Sequence, residues 1–153
     1  MYGVLRRGLL IGVLVVALAT AASAASAASA GKSPTKGEAL KFTRAYVQAY
    51  THKRFLTVCH MASAAYLQGK TARACAKQAS RNYDPHAKFW SALRSGYTIT
   101  KATLTAGDPE LFGYPFWTYT MFFKSGKYRA SLVVKLVRPG YQLRYLSVAS
   151  GSG

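Results

Sequence analysis

The stretch VCHMASAAYLQGKTARAC, residues 58–75, holds both cysteines of the chain and one of its three histidines, His60. Residues of these types do three kinds of chemistry. A thiolate attacks with an imidazole as its base, thiolates and imidazoles hold a metal, or two thiols close a disulfide. Neighbours on a helix point about 100° apart, so His60 does not serve Cys59 through adjacency. His52 or His86 would have to be carried to the thiol by the fold. Zinc sites show paired ligand spacings, and two cysteines with three scattered histidines show none, so no metal or cofactor is expected.

Carboxylates are equally scarce, since Glu38, Asp84, Asp108 and Glu110 are the only four. Asp84 precedes Pro85 in the order of a helix cap, and Asp108 and Glu110 flank Pro109 in a loop. Glu38 belongs to a capping box. None falls at a core-facing strand position, so general acid–base chemistry has no pair to work with. The expectation is a protein without a catalytic constellation. Two further sets could bind rather than react. Tyr46, Tyr50, Trp90, Trp117, Tyr119 and Tyr145 either line a ligand pocket or fill an ordinary aromatic core. Lys127, Arg129, Lys135 and Arg144 either hold an anionic surface or form a solvated face.

The compartment weighs on the cysteine question. Met1–Arg7 form a basic stretch, and LLIGVLVVAL follows as an uncharged run, too short for the roughly 20 apolar residues of a membrane span. It suits the core of a signal peptide, with cleavage after Ala24, Ala27 or Ala30 in AASAASAASA; the alternative is an uncleaved membrane anchor. Export places the thiols in an oxidising compartment, where an even count reads as a disulfide. A Cys59–Cys75 bridge closes a loop of about 17 residues, worth on the order of 3 kcal/mol. Removing residues 1–30 takes away two arginines and leaves 19 cations against four acids, a net charge of +15. That excess favours anionic partners such as wall polymers, acidic lipids or nucleic acid, although no specific nucleic-acid motif is present.

These residues must be positioned by one domain over residues 36–149, preceded by a linker at 31–35 and followed by a flexible tail at 150–153. Thr35 and Glu38 open a helix ending near His52, with Phe42, Ala45, Tyr46, Ala49 and Tyr50 on its apolar stripe and Lys41, Arg44, Gln48 and Thr51 opposite. Phe55–Leu67 reads as one shorter helix stopped by Gly69. Thr71 caps a segment running to about Arg81, and Asp84-Pro85 opens a helix over 86–94 that ends at Gly96. From Tyr97 onward the pattern is that of strands, with YTITKATL as the first.

Turns at Ser125-Gly126 and Pro139-Gly140 set a register. They place Phe123 opposite Tyr128, Met121 opposite Ala130, Tyr119 opposite Leu132 and Trp117 opposite Val134. Leu136 then faces Leu143, and Val134 faces Tyr145. The resulting core face is Trp117, Tyr119, Met121, Phe123, Leu132, Val134, Leu136, Leu143 and Tyr145. The other face mixes Lys127, Arg129, Lys135 and Arg144 with Phe122, Val133, Val137, Leu146 and Val148, so a strand, a tail or a second subunit is expected over part of it. Helices followed by an antiparallel sheet make an α+β fold.

The order of elements, with FTRAYVQAY in the first helix, a cysteine in FLTVCHMAS, a second in ARACAKQ and strands to the end, resembles the small secreted actinobacterial members of the nuclear transport factor 2-like superfamily, also called SnoaL-like or ketosteroid-isomerase-like. The resemblance implies N-terminal helices packed on a curved antiparallel sheet of about four strands, a cone-like fold. Related enzymes place an Asp, often with a His or Arg, on the pocket wall, and no carboxylate here takes that position. The expected role is therefore a secreted, non-catalytic domain that binds or scaffolds at the cell envelope with a preference for anionic partners. The rivals are a small-molecule-binding or enzymatic cone with an aromatic-lined pocket, and a signal-anchored subunit of an envelope complex. Homodimer formation through the second sheet face is a further expectation.

Overall fold

A computed structural model describes residues 32–152. The leader and its cleavage positions lie outside the described residues. Five helices precede four strands: α1 (Lys36–Thr51), α2 (Phe55–His60), α3 (Ala64–Leu67), α4 (Ala72–Asn82) and α5 (Lys88–Arg94), then β1 (Thr98–Ala106), β2 (Trp117–Ser125), β3 (Tyr128–Val137) and β4 (Arg144–Ser152). The strands form one antiparallel sheet in the order β1-β2-β3-β4, not closed into a barrel, so the fold is α+β.

The capping box at the start of α1 is present. Glu38 N–H donates to Thr35 Oγ1 at 3.1 Å, and Thr35 N–H donates to Glu38 Oε2 at 2.7 Å. Its buried stripe is Ala39, Thr43, Tyr46, Val47 and Ala49, with Phe42 and Tyr50 half-buried beside it. The expected stripe is thus rotated: Ala45 is exposed and Thr51 is buried. Thr51 joins the interior because its Oγ1 donates to the Val47 carbonyl at 2.8 Å, which satisfies the hydroxyl within the helix.

The expected single helix over 55–67 is two. It breaks at Met61–Ser63, where Tyr145 N–H donates to the Met61 carbonyl at 3.1 Å and Ser63 N–H donates to the Tyr145 carbonyl at 2.9 Å. The backbone of the break is paired with the last strand, and Ser63 then caps α3 through its side chain. α4 begins after Thr71, as expected. The next helix starts at Lys88, not His86, because Asp84 Oδ1 accepts from His86 N–H at 2.8 Å and closes a separate turn first.

The β2–β3 loop is Gly126-Lys127, one residue later than expected, with Gly126 at φ +58°. A positive φ at the first central residue is what a type II′ hairpin requires. The register therefore shifts by two: Phe123 pairs with Ala130, Met121 with Leu132, Tyr119 with Val134 and Trp117 with Leu136. A shift of two keeps every side chain on its face. The β3–β4 connection carries a second correction, since Leu136 pairs with Tyr145 but Lys135 pairs with Ser147. The irregularity at Leu146 brings Val148 opposite Val134, so Val148 packs on the core and not on the second face. Leu143 precedes the strand and is half-buried, and β4 runs to Ser152 where a tail from residue 150 was expected. The other eight residues of the expected core face are buried.

Candidate functional site

The cysteines form the expected bridge. Cys59 on α2 and Cys75 on α4 are joined, and no free cysteine remains among the described residues. Cys59 is 1% exposed, so the sulfur is part of the interior. The histidines lie apart from it in role. His60 is exposed and contributes its carbonyl to Arg144, while His52 Nδ1 lies 2.8 Å from the Gln48 carbonyl. Among the described residues no three of His, Cys, Asp and Glu gather as metal ligands would.

The aromatic set lies between helices and sheet. Tyr46 meets Tyr145 edge-on at 5.3 Å, Tyr145 meets Tyr66 at 4.7 Å, and Tyr50 lies 4.1 Å from Trp90. Tyr119 is fully buried in the same cluster, and Trp117 is buried outside it. The rings occupy one another's space. Two surface hollows, of about 380 and 200 Å³, are lined instead by one flank of α1 (Lys41, Arg44, Gln48) and by Tyr66, Lys70, Gln78 and Asn82 around Cys75.

Burial raises the pKa of Tyr46, Tyr50, Tyr97, Tyr119 and Tyr145, with neighbouring tyrosines adding to the rise at Tyr46, Tyr50, Tyr119 and Tyr145. For a group held neutral in the fold, the stability it contributes is complete below its unfolded pKa of about 10 and is lost as pH climbs toward the folded value. Phenolate absorbance from the buried Tyr46, Tyr119 and Tyr145 should therefore appear in one cooperative step, together with loss of near-ultraviolet circular dichroism, above about pH 10. A smooth, reversible titration with the fold intact would contradict the packing.

The sheet face turned away from the helices is different. Strand alternation assigns it Lys101, Thr103 and Thr105 of β1, Thr118, Thr120, Phe122 and Lys124 of β2, and Arg129, Ser131, Val133, Lys135 and Val137 of β3. Reading across the strands, Thr98–Lys124–Arg129 form one row, Lys101–Phe122–Ser131 the next, and Thr103–Thr120–Val133 a third. Lys127 sits in the adjoining turn, and Phe122 is 39% exposed with Lys101 Nζ 6.0 Å from its ring. Lys124 and Arg129 are direct cross-strand partners. Like charges so placed oppose pairing.

No acid relieves them. Glu38 Oε1 lies 3.0 Å from Arg138, the one ion pair among the described residues. Asp84 closes its turn, Asp108 Oδ1 accepts from Glu110 N–H at 3.0 Å, and Glu110 is exposed in that same loop. That loop folds back at the other end of the sheet. There Phe112 and Phe116 pack edge-on, and Lys135 Nζ lies 5.5 and 5.6 Å from their rings. Phe116 seats on Gly107, where a Cβ would come within 2.1 Å of the ring.

The four cations expected at a binding face are therefore divided. Arg129 and Lys127 are exposed at the hairpin end. Lys135 lies against aromatic rings, and Arg144 donates to the His60 carbonyl and, at 2.5 Å, to Gln142 Oε1, which makes it a helix-end clamp. Lys101 was missed because the β1–β2 register had no turn signal to fix it. Lys124 was legible on the face by alternation. Comparison with protein-family models, curated proteins and solved structures finds no match to this chain.

Proposed function

We propose that the chain is an exported, non-catalytic binding domain of the cell envelope that takes an anionic partner on its outer sheet face. One observation carries this reading: the hairpin end holds Lys101, Lys124, Lys127 and Arg129 with no acid among them, and two of these are forced opposite each other. The arrangement is unfavourable for the isolated fold, and an anion relieves it. A second copy docked hairpin end to hairpin end would not, because that pairing sets cations against cations. The leader and the disulfide support an oxidising, extracytoplasmic setting. No helix among the described residues is long and apolar enough to cross a membrane. The long first helix, the short helices and the antiparallel strands support the nuclear transport factor 2-like resemblance at the level of element order.

A rival cationic stripe exists on α4, where Arg73, Lys77 and Arg81 recur at four-residue spacing and are exposed. Binding to sulfated dextran in about 0.15 M salt separates the two surfaces, because exposed charges are screened beyond about 8 Å there. Lys101→Glu, Lys124→Glu and Arg129→Glu together should weaken binding about 100-fold, whereas reversing Arg73, Lys77 and Arg81 should change it less than about threefold. Equal losses from both would reduce the attraction to net charge alone and sink the assignment.

A further inference from the structure

The geometry points to a second interaction surface, the open edge of β4, where a second copy of the chain adds its own β4 antiparallel about a two-fold axis at Ser150. The two sheets then run on as one.

The pairing pattern identifies the backbone groups that the edge offers. Ser125 and Tyr128 close a two-residue hairpin and exchange backbone bonds, so alternation along β3 turns Ser131, Val133 and Lys135 toward β4. Their partners are Gly151, Ala149 and Ser147, which leaves the N–H and C=O of Val148, Ser150 and Ser152 pointing away from the sheet. Tyr145 points the same way, and its two groups are taken by Met61 and Ser63. Past Tyr145 no backbone group among the described residues bonds to this edge. Ala149 on the outer face and Ser150 on the core side are both exposed, so neither layer covers the end of the strand.

The two edges of the sheet differ in their defence against strand addition. β1 carries Lys101 and a register irregularity between Ile99 and Lys101, and both features oppose a new neighbour. From Leu146 to Ser152 there is no charge and no proline, and the irregularity of β4 lies before Ser147. A regular, neutral stretch of this kind is a template for another strand.

The strand fits itself. With Ser150 opposite Ser150 of the second copy, Val148 falls opposite the copy's Ser152, and each pair exchanges two backbone bonds. No charged side chains meet along the seam. The copy runs in the opposite direction, which carries the two basic hairpin ends apart. Arg129 lies on the strand next to β4 and beyond the axis row of Leu132 and Ser150, so roughly 25 Å separates it from its counterpart. That is well outside the screening distance of about 8 Å at physiological salt. The axis stands perpendicular to the sheet, so the dimer presents both basic ends on one surface. A contact this short buries less than the roughly 1,200 Å² of stable complexes, and the dimer is accordingly weak.

Sedimentation velocity of the exported chain tests the pairing, with a Kd on the order of 100 µM expected in about 0.15 M salt. Ser150→Lys sets like charges opposite each other at the axis, and Ser150→Pro removes an outward N–H that only the copy would use. Each should weaken the dimer about tenfold or more. Thr100→Lys adds the same charge on β1 and should change it less than about twofold. Raising salt from about 0.05 to 0.5 M should strengthen the dimer, because screening reduces repulsion between two cationic copies, whereas polyanion binding weakens over the same range. A chain that stays monomeric up to about 1 mM would overturn the inference. So would a dimer that survives both Ser150 variants, which would place the contact on another surface. A dimer that weakens with salt would point instead to a basic end seated on the Asp108–Glu110 loop and would also sink the edge pairing. Polyanion binding should persist in Ser150→Lys, so the edge and the basic face stand or fall separately.

Discussion

Replacing Cys59 and Cys75 by alanine is expected to cost about 3 kcal/mol and to free α4 before the rest of the chain unfolds. The helix has little else to hold it. None of its residues is buried, and the side facing α2 is the half-buried stripe Ala72, Cys75, Ala76 and Ala79. Alanine methyls bury little apolar surface, at about 25 cal/mol per Å². Its outer side carries Arg73, Lys77 and Arg81 with no acid on the helix, so it gains no charge pairing along its length. The bridge spans a separation of 16 residues, and in the chain-entropy view its loss returns that loop's freedom to the unfolded state. Urea unfolding of the double variant gives the cost. Hydrogen exchange gives the location: amides of 72–82 should lose protection while those of β2 and β3 keep it. Unchanged protection of α4 would show that packing alone holds the helix.

How far the sequence was legible follows from what each signal depends on. Local chemistry read well. The Thr35–Glu38 box, the Thr71 cap and the cysteine pair all appear, because each rests on a few residues close in the chain. Sheet faces also read well although the register was off, since the error of two residues equals the pleat period. Features that depend on distant partners did not. The break between α2 and α3 exists because β4 claims the backbone of Met61 and Ser63, and nothing in FLTVCHMASAAYL announces that strand. The irregularity at Leu146 that brings Val148 inward likewise has no mark of its own in the sequence. The candidate binding end was half visible. Arg129 and Lys127 came from alternation and the turn, whereas Lys101 needed a β1–β2 register that the intervening 3₁₀ loop hides.

The same long-range pairing makes Tyr145 the residue where a single truncation should hurt most. Its backbone joins β4 to the break between α2 and α3, and its ring packs edge-on against Tyr46 of α1 and Tyr66 of α3. It is 1% exposed. Tyr145→Ala removes a whole buried ring whose aromatic neighbours come from two separate helices, α1 and α3, so the space cannot collapse by moving one element. The expected loss is about 3–5 kcal/mol, a large part of the 5–15 kcal/mol that holds a domain of this size. Tyr145→Phe keeps the ring contacts and removes only the hydroxyl, so it should cost about 1 kcal/mol. Paired urea curves decide the matter, and a Tyr145→Ala loss below about 1 kcal/mol would mean that the ring is not a keystone. Binding supplies an independent check. Tyr145 lies on the core side of the last strand, whereas Lys101, Lys124 and Arg129 lie on the outer side of the first three. At temperatures where the variant stays folded, its affinity for a polyanion should match that of the parent chain. A protein that loses stability while keeping its ligand would show that the interior builds the sheet and the outer face does the binding.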